Sequence, residues 1–318
     1  MFSRLCISTL LVTIALLAVL LKSCGSILSI FDGDDGEILY ITNDYGGSNL
    51  CIYRIHDKQI RILNFDITPE QYIHRARLSP DKKLIAAQME PSNVADAVAA
   101  TYIFDRSGIL LSSWGSKVSD MCWSPDGTKL AYNRSNATGW GTRDYAYIYV
   151  SNIDGSDTVQ IFHSTDNSII NRDWFNDGRS LLTSNMVRET HPVDQKTHAF
   201  EYIYKLDINT GELIYIYNKL SGASEYRVSP DGSRISFIEL DIAQGTNGDR
   251  CVSICVMEVD SGNKYDLASF PVQLTALYGP IWSPEGDKLL IAKKYSSGGE
   301  HNAEMAYFDL DKKEFVNI

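Results

Sequence analysis

The sequence lacks nearly everything by which an enzyme announces its chemistry. Its 318 residues hold no Gly-x-Ser-x-Gly elbow, no His-Glu-x-x-His, no paired Cys-x-x-Cys, no P-loop and no Gly-x-Gly-x-x-Gly after a strand. Serine acyl transfer, zinc hydrolysis and nucleotide binding are therefore left without a signature. Basic residues are in deficit as well, 29 against 40 acidic, for a net charge of −11. With no basic run to neutralise phosphates, a nucleic-acid surface is excluded, and so is adhesion to anionic lipid through protein charge. Cysteine is sparse: of six, Cys6 and Cys24 lie near the N-terminus, leaving Cys51, Cys122, Cys251 and Cys255. Residues 251 and 255 on one strand would stand ~13 Å apart, beyond disulfide reach and too far to share a zinc ion easily. The four are read as small apolar core residues, and neither a metal nor a cofactor is expected. The six histidines are scattered, and His191, His198 and His301 fall in long connections where they are read as solvated. The acidic stretch from Asp32 to Glu37 resembles the start of a calcium loop, but Asn43 stands where the closing acid belongs, so it is read as a turn.

Helical periodicity is missing after residue 25, and a short phrase returning six times takes its place. Five copies are plain: Ser79-Pro80-Asp81-Lys82-Lys83-Leu84, Ser124-Pro125-Asp126-Gly127-Thr128-Lys129-Leu130, Asn176-Asp177-Gly178-Arg179-Ser180-Leu181, Ser229-Pro230-Asp231-Gly232-Ser233-Arg234-Ile235 and Ser283-Pro284-Glu285-Gly286-Asp287-Lys288-Leu289. An eroded copy opens the series at Asp35-Gly36-Glu37. Counted from acid to acid, the steps are 46, 45, 51, 54 and 54 residues. Each phrase follows an apolar or aromatic residue (Leu78, Trp123, Trp174, Val228, Trp282) and precedes an apolar strand. Pro presets φ, Asp bonds its own backbone and Gly accepts positive φ, which together make a tight turn. An aromatic-rich third strand and a short fourth strand complete the unit. A period of roughly 40 to 50 residues built only of short strands marks a β-propeller blade. The reading is all-β: a six-bladed β-propeller of four-stranded antiparallel blades over residues 27–318, preceded by a signal or anchor segment at 1–24. Stacked radially, each blade covers its neighbours' apolar faces. Trp123, Trp174 and Trp282 are expected to be buried between blades.

The phrases Trp123-Ser124-Pro125-Asp126-Gly127-Thr128-Lys129-Leu130-Ala131 and Trp282-Ser283-Pro284-Glu285-Gly286-Asp287-Lys288-Leu289 resemble the TolB-type, WD-like propeller repeat. The same repeat builds the propeller halves of prolyl-oligopeptidase-like enzymes. The resemblance covers roughly nine tenths of the chain, and it speaks to fold rather than to function. TolB-type proteins carry an α/β domain before the propeller. Here only some ten residues separate the leader from the first repeat, so the Tol partner-binding role tied to that domain does not carry over.

The N-terminus reads as an export signal. Arg4 precedes an apolar run from Leu5 to Leu21, and Lys22-Ser23-Cys24-Gly25 follows. Leu21-Lys22-Ser23-Cys24 resembles a lipobox, with Cys24 as the lipidated residue, although Lys22 stands where a small residue is usual. A plain signal peptide and an uncleaved anchor stay open. All three deliver the propeller to the periplasm or cell envelope. Losing Arg4 and Lys22 would leave 27 basic residues against 40 acidic, net −13.

Two groups of residues are candidates for binding. Aligning the inner strands places Arg75, Asp120, Asn171, Glu225 and Gly279 at one position, and Arg77, Cys122, Asp173, Arg227 and Ile281 two residues later. Period-two alternation puts both positions on one side of the strand, at the mouth of the central channel. Either neighbouring blades pair these charges, Arg75 with Asp120 for example, or they form a polar funnel. The second group lies on uneven connections between second and third strands, at about Gln88–Ala100, Asn133–Tyr145, Ser184–Ala199, Asp241–Arg250 and Lys294–Ala303. Elaborated loops on a rigid scaffold are common binding elements, and Trp140, Arg143, Arg188, His191, Arg250 and His301 stand out there. The expected site combines Arg75, Asp120, Glu225 and Arg227 with Trp140, Arg143 and Arg188 on the long-loop face, where arginine could grip an acidic partner. The leading expectation is a monomeric, non-catalytic scaffold for an envelope protein or peptidoglycan-associated partner, membrane-associated through its leader or lipid. The alternative is a lyase-like propeller enzyme or sugar-binding protein with a small-ligand site at the channel mouth. A third is an accessory partner for a separately encoded hydrolase.

Overall fold

The computed structural model describes residues 26–317, apart from 34–35, 45–46, 66–70, 92–98, 116–117, 135–146, 165–168, 191–196, 221–222, 242–250, 272–273 and 298–299. The chain forms six antiparallel four-stranded sheets in sequence order. Blade 1 comprises β1 (Ser26–Gly33), β2 (Glu37–Asp44), β3 (Gly47–Arg54) and β4 (Gln59–Leu63), and blade 2 comprises β5 (Gln71–Leu78), β6 (Leu84–Pro91), β7 (Ala100–Asp105) and β8 (Leu110–Trp114). Blade 3 holds β9 (Val118–Trp123), β10 (Lys129–Arg134), β11 (Tyr147–Asn152) and β12 (Val159–His163); blade 4 holds β13 (Ile169–Trp174), β14 (Ser180–Thr190), β15 (Thr197–Asp207) and β16 (Leu213–Leu220). Blade 5 runs through β17 (Ala223–Val228), β18 (Arg234–Asp241), β19 (Cys251–Glu258) and β20 (Lys264–Pro271), and blade 6 through β21 (Leu274–Trp282), β22 (Lys288–Ser297), β23 (Glu300–Asp309) and β24 (Glu314–Asn317). Six blades, each with its turn phrase between first and second strands, match the sequence reading.

The core is divided among the blade interfaces. On β2, Leu39 and Ile41 pack against blade 2, while Ile38 and Tyr40 pack the other way against blade 6. On β19, Cys255 and Met257 face blade 4, while Ile254 and Val256 face blade 6. Period-two alternation between two buried faces explains why the middle strands are apolar without interruption. The cluster joining Ile38, Tyr40, Cys51 and Tyr53 to Ile281 and Leu290 closes the ring between the first and last blades. Trp123, Trp174 and Trp282 are 7, 6 and 6% exposed, as expected of repeat-unit core. All four described cysteines are free, and Cys51, Cys122 and Cys255 are buried.

Two sequence readings are corrected, and one turn departs from its repeat. The stretches 184–199 and 294–303 are largely strand: β14 and β15 pair continuously from Ser180↔Asp207 to Thr190↔Thr197, and β22 and β23 pair out to Ser297↔Glu300. The backbone ladder continues in register through residues whose polar character suggested loops. In blade 6 the turn serine Ser283 bonds Asp287 at 2.7 Å rather than Glu285. The inner strands also do not alternate cleanly. Asp120 and Met121 together oppose one residue of β10, and register shifts recur between Ile73 and Arg75, Asn171 and Asp173, Ser224 and Arg227, and Tyr278 and Ile281. Such bulges re-aim the side chains that follow them.

Candidate functional site

The bulges shape the propeller axis. Asp120, Glu225 and Gly279, aligned in sequence, all take positive φ, at 51°, 57° and 91°. For the two acids this is a costly conformation, of the kind that neighbouring structure must hold in place. At Gly279 a Cβ would lie 2.5 Å from the Leu290 carbonyl oxygen, so only glycine fits.

Among the described residues, two charges of the first aligned position pair closely and the third stands at longer range. Arg75 meets Asp120 of the next blade at 2.8 Å, and Glu225 lies 3.9 Å from Arg227 within β17. The second position reaches across the ring. Arg77 of blade 2 and Asp173 of blade 4 approach to 3.6 Å, with side chains only 9 and 16% exposed. Asp173 also accepts the backbone N–H of Val228 from blade 5 at 2.9 Å. Arg227 is buried too. Burial and then the neighbouring Arg77 guanidinium pull it down to about 10, with Asp173 and Glu225 acting in the opposite direction. It stays protonated at neutral pH. Cys122, beside this group, accepts a hydrogen bond from Asn171 Nδ2 at 3.1 Å. Burial, reinforced by Asp173, pushes its thiol up to about 12, which keeps it protonated and a poor nucleophile.

A cavity of about 540 Å³ opens onto this cluster from the turn face. Its rim carries Pro80, Pro125, Pro230 and Pro284, its walls Trp123, Trp174 and Trp282, and Arg77 and Asp173 lie at its axial end. Arg75, Asp120 and Glu225 are not among its lining residues; two to three residues further from the turns, they stand about 7–10 Å deeper along the axis. The described cavity thus opens on the face opposite the long connections. Arg77 and Asp173 were aligned in sequence without being singled out, although their place beside the Leu78 and Trp174 turn residues is the signal that marks them.

Three of the loop candidates fall on described strands. Arg188 is exposed on the part of β14 that runs past its pairing with β13. His198 and His301 lie on β15 and β23. Trp140, Arg143, His191, Arg250 and Cys24 lie outside the described residues. A separate cluster of Glu239, Cys255 and Asp266 has metal-ligand spacing. Lys264 already fills it, at 2.6 Å from Glu239 and 2.9 Å from Asp266, and burial pushes the Cys255 thiol up.

Comparison with known proteins places the fold. No family model and no curated protein matches the chain. Among solved structures, TolB from Acinetobacter baumannii aligns with a TM-score of 0.59 and 18% identity over 89% of this chain, which spans 63% of that one. An oligogalacturonate lyase in complex with manganese aligns with a TM-score of 0.57 and 15% identity, over 86% of this chain and 74% of that one. The propeller domain of the trilobed protease from Pyrococcus furiosus, described as an open velcro topology, aligns with a TM-score of 0.50 and 16% identity, over 78% of this chain and 72% of that one. Identities this low show a TolB-like propeller fold alone.

Proposed function

We propose that this chain is an exported, non-catalytic propeller that holds a partner of the cell envelope at its axial opening. The observation that carries this reading is the Arg77–Asp173–Arg227 cluster at the end of a wide cavity on the axis. The inter-blade pairing of Arg75 with Asp120 supports a rigid scaffold, and the protonated Cys122 thiol argues against covalent catalysis there. The likeness to TolB and the leader support an envelope location, with Cys24 as the lipid acceptor. An enzyme or sugar-binding protein is the second reading, favoured by a cavity within the ~300–1,000 Å³ range of small-ligand sites and by the likeness to a lyase.

Capture from envelope extract tests the first reading. The full-length protein should retain a saturable partner. Arg227→Gln, which removes the charge behind the cavity, should weaken that partner about ten-fold, or about 1.4 kcal/mol. The exposed Lys129→Ala should not weaken it. Equal loss from both variants, or none from Arg227→Gln, would remove the axis from the reading. Cys24→Ser should abolish lipid labelling and release the protein from membranes, and release of the wild type by salt alone would refute lipid anchoring.

A further inference from the structure

Two buried arginines, Arg77 and Arg227, and the part-buried Arg172 lie near the axis, and among the described residues Arg172 is the best engaged. Arg172 donates to Ser184 Oγ at 2.8 Å and to Glu201 at 2.9 Å, and its guanidinium lies 5.2 Å from the centre of the Tyr226 ring. Arg77, by contrast, makes one long hydrogen bond, 3.4 Å to the Arg172 carbonyl, and its approach to Asp173 at 3.6 Å is beyond hydrogen-bond reach. Arg227 makes one hydrogen bond, 2.9 Å to its neighbour's carbonyl at Tyr226. Each guanidinium carries five N–H donors. Among the described residues the remaining nitrogens of Arg77 and Arg227 are not sealed from solvent, so they stand open to an incoming acceptor.

The charge count points the same way. Two buried guanidiniums face one part-buried carboxylate, that of Asp173, and one of its oxygens already accepts the Val228 N–H. Glu225, 3.9 Å from Arg227 and 34% exposed, is too distant and too solvated to complete the pairing. Arg75 and Asp120 satisfy one another. Glu37, the other acid of the cavity lining, is paired with Arg106, and Lys82 adds a further cation, so positive charge is in excess around a cavity lined by indole and proline together with serine and asparagine. Arg77 reaches that cavity, while Arg227 is absent from its lining and stands behind it.

We propose that the axial cavity on the turn face is a receptor for a single carboxylate, gripped by the fork of Arg77, with Arg227 adding charge from behind. The proposal rests on the binding reading above and names the group that the occupant presents. A planar monoanion matches the bidentate fork. A phosphate dianion would overshoot the excess charge and face Asp173 at close range. The cavity, with indole and proline beside serine and asparagine, leaves room for the body that carries the acid, whether the last residues of a peptide or a free sugar acid.

Trp123, Trp174 and Trp282 report on the cavity through their fluorescence. The purified full-length protein is titrated with acetyl-Ala-Pro-Leu as the free acid, the same peptide as its C-terminal amide, galacturonate and inorganic phosphate. At least one acid should bind saturably. If the peptide acid binds, its amide should bind about ten-fold more weakly or less. Preference for peptide acid or for galacturonate identifies the source of the carboxylate, and either supports the proposal. Arg77→Gln should abolish the response and Arg77→Lys should weaken it, while Arg227→Gln should weaken it less and reduce its salt dependence. Asp173→Asn keeps an acceptor for the Val228 N–H and removes the competing charge, so it should tighten acid binding, a gain that misfolding cannot produce. Equal binding of acid and amide, phosphate binding as tightly as any acid, or no response to either acid would overturn the proposal. Titration without envelope capture would leave the carboxylate site standing and remove the scaffold reading. Capture that depends on Arg227 without titration would do the reverse.

Discussion

Ser79, Ser124, Ser229 and Ser283 each use one hydroxyl twice. It donates to an aspartate of the turn, at 2.5–2.7 Å, and accepts the backbone N–H that opens the second strand, at 2.9–3.0 Å. Those hydroxyls hold the aspartates below the usual carboxylate range, Asp81 and Asp231 to about 2, and Asp126 and Asp287 in the same direction. A carboxylate depressed on folding contributes stability that is complete above its unfolded pKa of about 3.9. That contribution is lost as pH falls through the folded value. The wild type should therefore lose denaturant resistance between about pH 4 and pH 2. Asp231→Asn should start lower at pH 6 and fall less steeply below pH 4, read from urea midpoints across that range. An unchanged acid slope would show that this turn carries no pH-dependent stability.

Between neighbouring blades the tryptophans act as clasps. Trp123 and Trp282 donate their indole N–H to the carbonyls of Arg77 and Arg227 in the preceding blade, both at 3.1 Å. Trp174 holds the equivalent place in blade 4, yet its buried indole N–H has no partner among the described residues. Truncating Trp282 to Ala should cost about 3–5 kcal/mol. Replacement by Phe separates the hydrogen bond from the packing. Trp123→Phe and Trp282→Phe orphan a carbonyl and should each cost about 1 kcal/mol more than Trp174→Phe. Chemical denaturation of the three variants measures the difference, and equal losses would mean that the clasp adds nothing beyond ring burial.

The molecule as a whole closes without sharing a strand, since β1 to β4 form one blade and β21 to β24 another. Side-chain packing joins them, with Tyr40 and Tyr53 of blade 1 against Leu290 and Tyr307 of blade 6. Leu290→Ala should cost about 2–5 kcal/mol. It should also raise amide exchange in β2, β3, β22 and β23 while sparing β14 and β15, because an unlatched ring opens first at its weakest joint. Exchange rising equally in all blades would show that closure is no weaker than the other interfaces.

The sequence by itself determined the blade count, the turn positions and the buried tryptophans. Each is a local rule repeated at fixed spacing: Pro and Gly restrict the turn backbone, and apolar residues on both faces of a strand demand neighbours on both sides. The pairing of Arg75 with Asp120 was also legible, because one-blade offsets follow from the repeat. What only the tertiary structure decided lies on the axis. Bulges such as that at Asp120 and Met121 break the period-two rule on which the aim of an inner-strand side chain was judged, and one added residue turns each following side chain to the other face. The meeting of Arg77 with Asp173 joins blades that are not neighbours, so it depends on the ring's curvature and closure. Neither is written in the spacing of a repeat, and both fix which charges are left facing the cavity.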